Sequence, residues 1–376
     1  MKPKIRFKGY VGEWKEEQLS EISSSIASGK NIDHKGSYPL YGSTGIIGTT
    51  DKPYHEGPML LVARVGANAG FLQLVNEKCG VSDNTLIVKP KDPVTDNYLF
   101  QYFKFFNLNR FIYGSGQPLI TGGMLKKMPV RYGLKEERET LIDYFTTLDS
   151  QISASTSRLA SLKQMKAASL QAMFPQEGET APKIRFKGFE GEWKKVSFKD
   201  FTFHAGTKNR DNLPLESYSI SNEFGFIPQN EQFENGGTMT QADKRMYYIV
   251  SPNSFAYNPA RINVGSLGYY EGKEDVIVSS LYEVFKTDDT ICDKFLLYWF
   301  KTDIFQKMIE QFQEGGVRLY FFYDKMCKCS LMRPPLAEQQ AIASYFTSLD
   351  RQISLQSQRL EKLKQIKSAC LDKMFV

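Results

Sequence analysis

Histidine, cysteine and long apolar runs are scarce in this chain, and each scarcity excludes a class of protein. The three histidines (His34, His55 and His204) lie away from any cysteine at zinc-ligand spacing, so we predict no metal site. The five cysteines are an odd number without framework spacing, which favours a reduced cytoplasmic protein. The densest apolar run, residues 295–300, is too short to span a bilayer, and the charged start at residues 1–4 does not resemble a signal peptide.

Motifs for bond-making and bond-breaking chemistry are also missing. No G-x-x-x-x-G-K-[ST] phosphate loop occurs, and the glycine-rich residues 42–48 lack the lysine, so we interpret them as a turn between short strands. The E-x-K segments at residues 13–15 and 192–194 lack the upstream acid that a metal-dependent nuclease needs. Residues 257–261 (YNPAR) match the Asn-Pro-Pro-Tyr tetrapeptide of adenine methyltransferases poorly, and no cofactor loop precedes them. The sequence therefore predicts a protein without catalytic residues, metal or cofactor.

The composition indicates folded modules. The 376 residues are 41% hydrophobic and 13% aromatic, which suits two domains with their own cores. The 48 Lys+Arg against 42 Asp+Glu leave a net charge of +6, which permits a polyanionic partner without requiring one.

Two segments of the chain occur twice. Residues 3–15 and 182–194 share 11 of 13 positions, and residues 144–175 and 345–376 share 18 of 32. The offsets are 179 and 201 residues, and the stretches between the repeats look unrelated. We therefore expect two similar domains related by a pseudo-two-fold axis, each with a repeated frame and a private interior. Such a molecule suits a bipartite target.

Each repeated tail predicts a long helix with an apolar seam and one polar interruption, Ser155 in the first and Gln356 in the second. The seam residues are Leu148, Ile152, Leu159, Leu162, Leu349, Ile353, Leu360 and Leu363. A length of about 38 residues makes each helix a rod of roughly 55 Å. The two seams can pack against each other, with the polar residues fixing register; alternatively, each helix packs on its own domain.

The interiors read as mixed and mostly β, with a helical stretch late in each, at residues 97–107 and 293–312. The same order of strands, helix, turn and long helix predicts one α+β fold for both. The predicted ranges are 1–133 for the first domain, 134–175 for its long helix, 176–181 for a linker, 182–335 for the second domain and 336–376 for the second long helix.

Binding chemistry is concentrated in polar loops of both interiors. Arg, Lys, Asn and Gln can contact base edges in the major groove, and Ser, Thr and glycine-loop amides suit phosphates. As DNA contacts of unassigned role we predict Arg64, Asn68, Asn84 and Gln117 in the first domain, and Arg210, Lys244, Arg245, Asn258, Arg261 and Arg318 in the second.

Several of these segments together resemble one family, the specificity subunits of type I restriction–modification systems. The resemblance covers essentially the whole chain. It is carried by the duplicated leader RFKG-x-x-GEW, by residues 63–70 (ARVGANAG), 81–88 (VSDNTLIV) and 257–265 (YNPARINVG), by Gly316-Val317-Arg318, and by residues 333–340 (RPPLAEQQ). The first-half counterpart of the last motif, residues 128–138, is degraded.

The resemblance implies two target-recognition domains that each read one half of a split, asymmetric site in double-stranded DNA. The repeated helices would form an antiparallel coiled coil that spaces the domains. Two N6-adenine methyltransferase subunits would dock on the frame, and ATP-dependent restriction subunits would join them. A rod of roughly 55 Å allows half-site centres up to about 16 base pairs apart.

Two other functions remain open at this point. The chain could be an adaptor whose interiors bind proteins, which salt-sensitive DNA binding would distinguish. It could also be a self-sufficient nuclease or methyltransferase, which the missing motifs oppose.

Overall fold

The computed structural model describes residues 2–30, 35–111, 118–232 and 243–376. The chain forms two compact units: the first is Met1–Arg158 with Gln356–Val376, and the second is Leu159–Leu355. Each unit thus contains one interior and parts of both long helices, whereas the ranges predicted above follow the chain linearly.

The described residues of the first interior form three sheets. Its strands are β1 (Lys15–Gln18), β2 (Ser23–Ser28), β3 (Tyr38–Gly42), β4 (Gly45–Thr50), β5 (His55–Glu56), β6 (Met59–Ala63), β7 (Leu72–Val75), β8 (Lys78–Val81), β9 (Thr85–Pro90) and β10 (Pro129–Tyr132). One sheet has the antiparallel order β2-β9-β6-β7, and another has the order β4-β3-β8-β5 with β3 and β8 parallel. Strand β1 pairs with β10. The turn predicted within residues 42–48 is confirmed, because β3 and β4 form a hairpin there.

In strand β6, apolar and polar residues do not alternate, because both faces of the strand are covered. All five of its residues are buried. Leu60 and Val62 lie in one apolar core, whereas Met59 and Leu61 lie in a second core on the opposite face. Successive side chains of a strand point to opposite faces, so a strand covered on both faces is apolar throughout.

The helices of the first half are α1 (Leu19–Ile22), α2 (Pro93–Phe106), α3 (Gly122–Lys126) and the long α4 (Lys135–Ala172). Helix α2 begins where the Asp92 side chain accepts a hydrogen bond from the Val94 amide, at 3.2 Å. It ends at Asn107, which adopts a left-handed conformation with φ of 54°. The helix predicted at 97–107 is confirmed and begins one turn earlier.

The second interior repeats this topology. Its strands are β11 (Lys194–Ser197), β12 (Thr202–His204), β13 (Thr207–Lys208), β14 (Ser217–Ser221), β15 (Gly225–Pro228), β16 (Tyr248–Val250), β17 (Ser254–Tyr257), β18 (Leu267–Tyr270), β19 (Val276–Val278), β20 (Glu283–Thr287) and β21 (Ser330–Arg333). Its helices are α5 (Gln229–Gln232), α6 (Asp293–Trp299), α7 (Asp303–Phe312), α8 (Tyr323–Met326) and the long α9 (Leu336–Met374).

The sheets of the second interior, β12-β20-β17-β18 and β13-β16-β19-β14-β15, match those of the first, including one parallel pair, β14 with β19. The prediction that two unrelated interiors share one α+β fold is confirmed. Strand β13 is an addition at a sheet edge, and the helix predicted at 293–312 is broken into α6 and α7 between residues 299 and 303.

The long helices pair within each unit. In the first, Tyr144 contacts Cys370 (Oη to Sγ, 3.3 Å); in the second, Ser169 contacts Tyr345 (Oγ to Oη, 2.9 Å) and Lys166 contacts Asp350 (Nζ to Oδ1, 2.5 Å). Residue numbers rise along one helix as they fall along the other, so the helices are antiparallel. Of the seam residues, four are buried (Leu148, Leu162, Leu349, Leu360) and four are half-buried (Ile152, Leu159, Ile353, Leu363).

The two polar interruptions of the seam meet each other. The Gln356 amide donates to the Ser155 hydroxyl at 3.0 Å and to the Ser155 carbonyl at 3.2 Å, and both residues are buried. Ser155 and Gln356 are equivalent positions of the repeat. Equivalent positions can contact each other only at the centre of an antiparallel pair. A shift in register would bury this amide without its partner, at a cost of about 1–3 kcal/mol.

The repeated leader is anchored to the start of a long helix by a buried ion pair. Arg6 donates to both carboxylate oxygens of Glu137, at 2.6 and 2.7 Å, and Trp14 Nε1 donates to Glu137 at 3.1 Å. The hydrogen bond with Glu137 raises the pKa of Arg6. Arg185 and Glu338 repeat this geometry in the second unit, at 2.6 and 2.7 Å. Trp14, the central residue of the first E-x-K segment, is therefore part of a structural anchor, whereas Nε1 of the equivalent Trp193 is buried without a hydrogen-bond partner among the described residues.

The end of each long helix fills the core of a unit. Phe375 lies among Trp14, Tyr98 and Phe145 in the first unit. Its equivalent, Phe174, packs on Trp193 and Phe346 in the second. Helix α4 packs on the first interior through Leu141 and Phe145, and it also packs on α9. The two packing alternatives for the long helices are both realised.

We expect Arg6→Ala to lower the free energy of unfolding by about 3 kcal/mol, because the buried side chain of Glu137 would lose its main partner. Urea unfolding of the purified chain measures this loss. Lys8→Ala, an exposed leader position, is the matched control and should cost less than about 0.5 kcal/mol. The double variant Arg6→Ala with Glu137→Gln should recover part of the loss. An Arg6→Ala variant as stable as Lys8→Ala would show that the ion pair does not anchor the leader.

Candidate nucleic-acid interface

Three loops of the first unit are joined by backbone hydrogen bonds into one cluster. The Arg64 amide donates to the Asn84 carbonyl (2.9 Å), the Ile120 amide to Arg64 (2.8 Å) and the Gly66 amide to Pro118 (3.0 Å). The loop after β6 bends through a 3-10 helix, Gly66–Asn68, and Gly66 adopts a positive φ of 75° that glycine allows without strain. We call residues 64–70, 82–84 and 118–121 the first loop cluster.

The predicted residues of the first unit have different environments in this cluster. Asn68 and Asn84 are exposed and present their amides to solvent. Arg64 is half-buried, and its Nε is shielded without a hydrogen-bond partner among the described residues. Gln117 lies outside the described residues. The structure therefore brings Arg64, Asn68 and Asn84 together, with the two asparagines the more accessible.

Lys30 lies next to the first loop cluster, although the sequence pattern did not single it out. Its backbone amide donates to Val81 (2.9 Å), which places it beside the turn that carries Asn84, and its exposed ammonium stands 5.0 Å from the Tyr54 ring centre. Behind this turn, burial and the hydrogen bond to Glu77 raise the pKa of Tyr41 to about 12, so Tyr41 remains a neutral donor. Lys30 is more than fifty positions from Asn84, and only the tertiary fold reveals their proximity.

The second unit gathers Arg210, Lys244 and Arg245 through the buried Asn209. The Asn209 amide group donates to Leu213 (3.1 Å), and its backbone amide donates to Tyr247 (2.9 Å). Arg210 and Arg245 are exposed, whereas Lys244 is half-buried. Arg245 stands 4.0 Å from Asp243, an exposed and therefore weak ion pair.

A further group of loops in the second unit carries Asn258, Arg261 and Arg318. Phe321 ties them together, because its amide donates to the Pro259 carbonyl at 3.0 Å. Arg261 and Arg318 are exposed. The Asn258 side-chain oxygen accepts from the Ala260 amide at 3.0 Å and so stabilises the turn, which leaves its amide hydrogens for a ligand. We call residues 258–266 and 314–322 the second loop cluster.

The two loop clusters occupy equivalent places in the shared topology. Residues 64–70 follow β6 and residues 258–266 follow β17, and β6 and β17 hold the same position in their sheets. Residues 118–121 precede α3, and residues 314–322 precede α8. The chemistry differs, however, because exposed amides prevail in the first cluster and exposed guanidinium groups in the second.

The groups in these clusters are suited to binding an anionic, hydrogen-bonding surface. Guanidinium and amide side chains offer paired donors, and Asn also offers an acceptor. Among the described residues, no three His, Cys, Asp or Glu side chains gather closely enough to hold a metal ion. Within the same residues, no helix is both long and apolar enough to cross a bilayer.

Comparison with known proteins identifies the family. The family model for the type I restriction modification DNA specificity domain matches the chain twice, at residues 12–164 and 191–365. These two ranges include most of the sequence, and the chain belongs to this family. Specificity subunits of type I systems are non-catalytic and work with DNA and with the other subunits of the restriction–modification complex.

Individual proteins similar to this chain also come from type I restriction–modification systems. The EcoprrI specificity subunit of Escherichia coli, from a type I restriction enzyme, is 26% identical over 159 residues, which are 39% of this chain and 40% of that protein. The crystal structure of a type I restriction–modification S subunit from M. genitalium is similar in fold, with a TM-score of 0.65 and 13% identity, covering 100% of this chain and 99% of the other. A chain from a study of complex assembly and conformational transition of the type I system has a TM-score of 0.50 and 14% identity, covering 97% and 98%.

Proposed function

We propose that each unit reads one half of a bipartite, asymmetric site in double-stranded DNA. The observation that supports this most directly is the pair of loop clusters, which share a place in the topology but differ in their side chains. A duplicated scaffold with two different reading surfaces suits a target with two different halves. Exposed Arg favours guanine O6 and N7, and exposed Asn favours adenine N6 and N7.

The antiparallel helix pair sets the spacing of the two half-sites in this proposal. Each long helix continues from one unit into the other, and its register is fixed by the buried contact between Ser155 and Gln356. Spacing is then a property of the repeated frame, while sequence choice is a property of the interiors. The half-site sequences can therefore change without changing the rod.

Catalysis belongs to partner subunits. We propose that two N6-adenine methyltransferase subunits dock on the repeated frame and that ATP-dependent restriction subunits complete the nuclease, in the cytoplasm where the DNA lies. The frame is the natural docking surface because only it presents the same residues twice. The chain itself would need no cofactor.

The salt dependence of DNA binding tests the alternative of a protein-binding adaptor. Neutralising several phosphates makes the logarithm of the binding constant fall steeply with the logarithm of salt concentration, whereas an adaptor would not bind DNA at all. The exposed arginines of the second loop cluster favour DNA.

The experiment that tests the function is mapping of adenine methylation by long-read sequencing. Cells with the chain and its cognate methyltransferase are compared with cells carrying the methyltransferase alone. We expect a split, asymmetric motif only when the chain is present. An intact complex that adds no methylation would support the adaptor.

We expect Arg318→Ala to relax discrimination at one base pair of one half-site and to cost about 1–3 kcal/mol in specific binding, because a bidentate contact to a base is lost. Competition binding of the assembled complex with single-base variants of the site measures this. Lys199→Ala removes an exposed cation of the same unit that lies outside the repeated leader and the loop clusters, and it is the control, with base preference unchanged. Uniform weakening on all sequences, with a shallower salt dependence, would instead assign Arg318 to a phosphate.

A further inference from the structure

Apolar side chains stand beside the arginines of the second loop cluster. Val317 is fully exposed and directly precedes Arg318, and Val264 is 53% exposed three residues after Arg261. Single exposed apolar residues are common on protein surfaces, but here two valines are held on two loops that the fold joins. Each valine accompanies an arginine.

The loop that carries Val317 is built on a firm base. Glu314 and Tyr320 exchange backbone hydrogen bonds at 2.9 and 2.8 Å. Lys325 forms an ion pair with Glu314 at 2.7 Å, and the buried Phe321 bonds to the neighbouring loop through Pro259. These contacts hold the base of the loop in place, and Val317 and Arg318 are exposed at its tip.

Val264 is oriented by a short turn. Residues Ile262–Val264 form a 3-10 helix in which Ile262 is buried. The Val264 amide donates to Arg261 at 3.1 Å, and the turn closes at Gly265, whose φ of 89° suits glycine. Burial of Ile262 in the core directs the rest of the turn, with Arg261 and Val264, to the surface.

The ligand chemistry follows from this combination. In the major groove, guanine offers paired acceptors to arginine, and the 5-methyl group of thymine is the apolar feature that a valine can contact. Wedges that separate stacked bases are generally larger, such as Phe, Leu or Met. Valine is suited to contact with a methyl group at a base edge.

On the basis of the proposed function, we propose that Val317 and Val264 contact thymine methyl groups, so that the half-site read by the second unit contains thymine close to the guanine contacted by Arg318 or Arg261. The first unit, with exposed Asn68 and Asn84, reads its half-site by amide contacts.

The test replaces each thymine of the second half-site by deoxyuridine, one at a time, in a duplex that carries the mapped site. Binding by the complex of this chain with its methyltransferase subunits is measured at fixed salt. Loss of one buried methyl group should weaken binding about fourfold at one or two positions. In the Val317→Ser or Val264→Ser complex, the position contacted by that valine should become insensitive to the change.

Val11→Ser provides the matched control, since Val11 is an exposed valine in the leader of the first unit, and it should keep every deoxyuridine effect. Equal binding of thymine and deoxyuridine duplexes, effects that persist in both serine variants, or a second half-site without thymine would each overturn the proposal. In that case Arg318→Ala still reports on the proposed function, because weakened specific binding by that variant shows that the second unit reads DNA without reading methyl groups.

Discussion

The structure depends on one buried polar contact in an apolar seam, the hydrogen bonds from Gln356 to Ser155. Apolar seam residues can pack in more than one register. A shift in register that buries an amide without a hydrogen-bond partner costs free energy, so the polar contact selects one register. In the first unit Asp149 pairs with Lys367, and in the second unit the equivalent Asp350 pairs with Lys166. Phe375 lies in the aromatic core of the first unit, and the equivalent Phe174 lies in that of the second.

The repeated segments of the chain form the structural framework, and the private interiors carry the loops that differ. The repeats supply the Arg–Glu ion pairs, the two long helices and the buried Phe174 and Phe375. The Arg–Glu ion pairs recur with nearly identical distances. The interiors reuse a sheet topology but change the loops at equivalent places. One private feature also recurs, since Lys104 and Lys301 lie beside the Asp–Lys pairs of their units. Burial, followed by the nearby Lys367, lowers the pKa of Lys104 to about 8, and burial, followed by Lys166, lowers the pKa of Lys301.

Local patterns predicted those features that depend on neighbouring residues. The seam spacing predicted both long helices, and the pattern at residues 97–107 predicted the helix that the structure shows as α2. Contacts between distant residues were not visible in the same way. The pairing of Arg6 with Glu137 spans 131 positions, and Lys30 lies beside the turn that carries Asn84 only because its backbone amide donates to Val81. Asn258 was predicted as a DNA contact of unassigned role, and the structure adds that its side-chain oxygen accepts from the Ala260 amide and holds a turn, which depends on backbone geometry.

The most direct test of the account changes the helix pair and leaves the loops alone. One heptad of the seam pattern is inserted into each long helix beside Ser155 and Gln356, and adenine methylation is mapped in cells with the cognate methyltransferase. Seven residues add about 10.5 Å, or about three base pairs of DNA. The account predicts unchanged half-site sequences separated by about three more base pairs. Methylation at the original spacing, or changed half-site sequences, would contradict it.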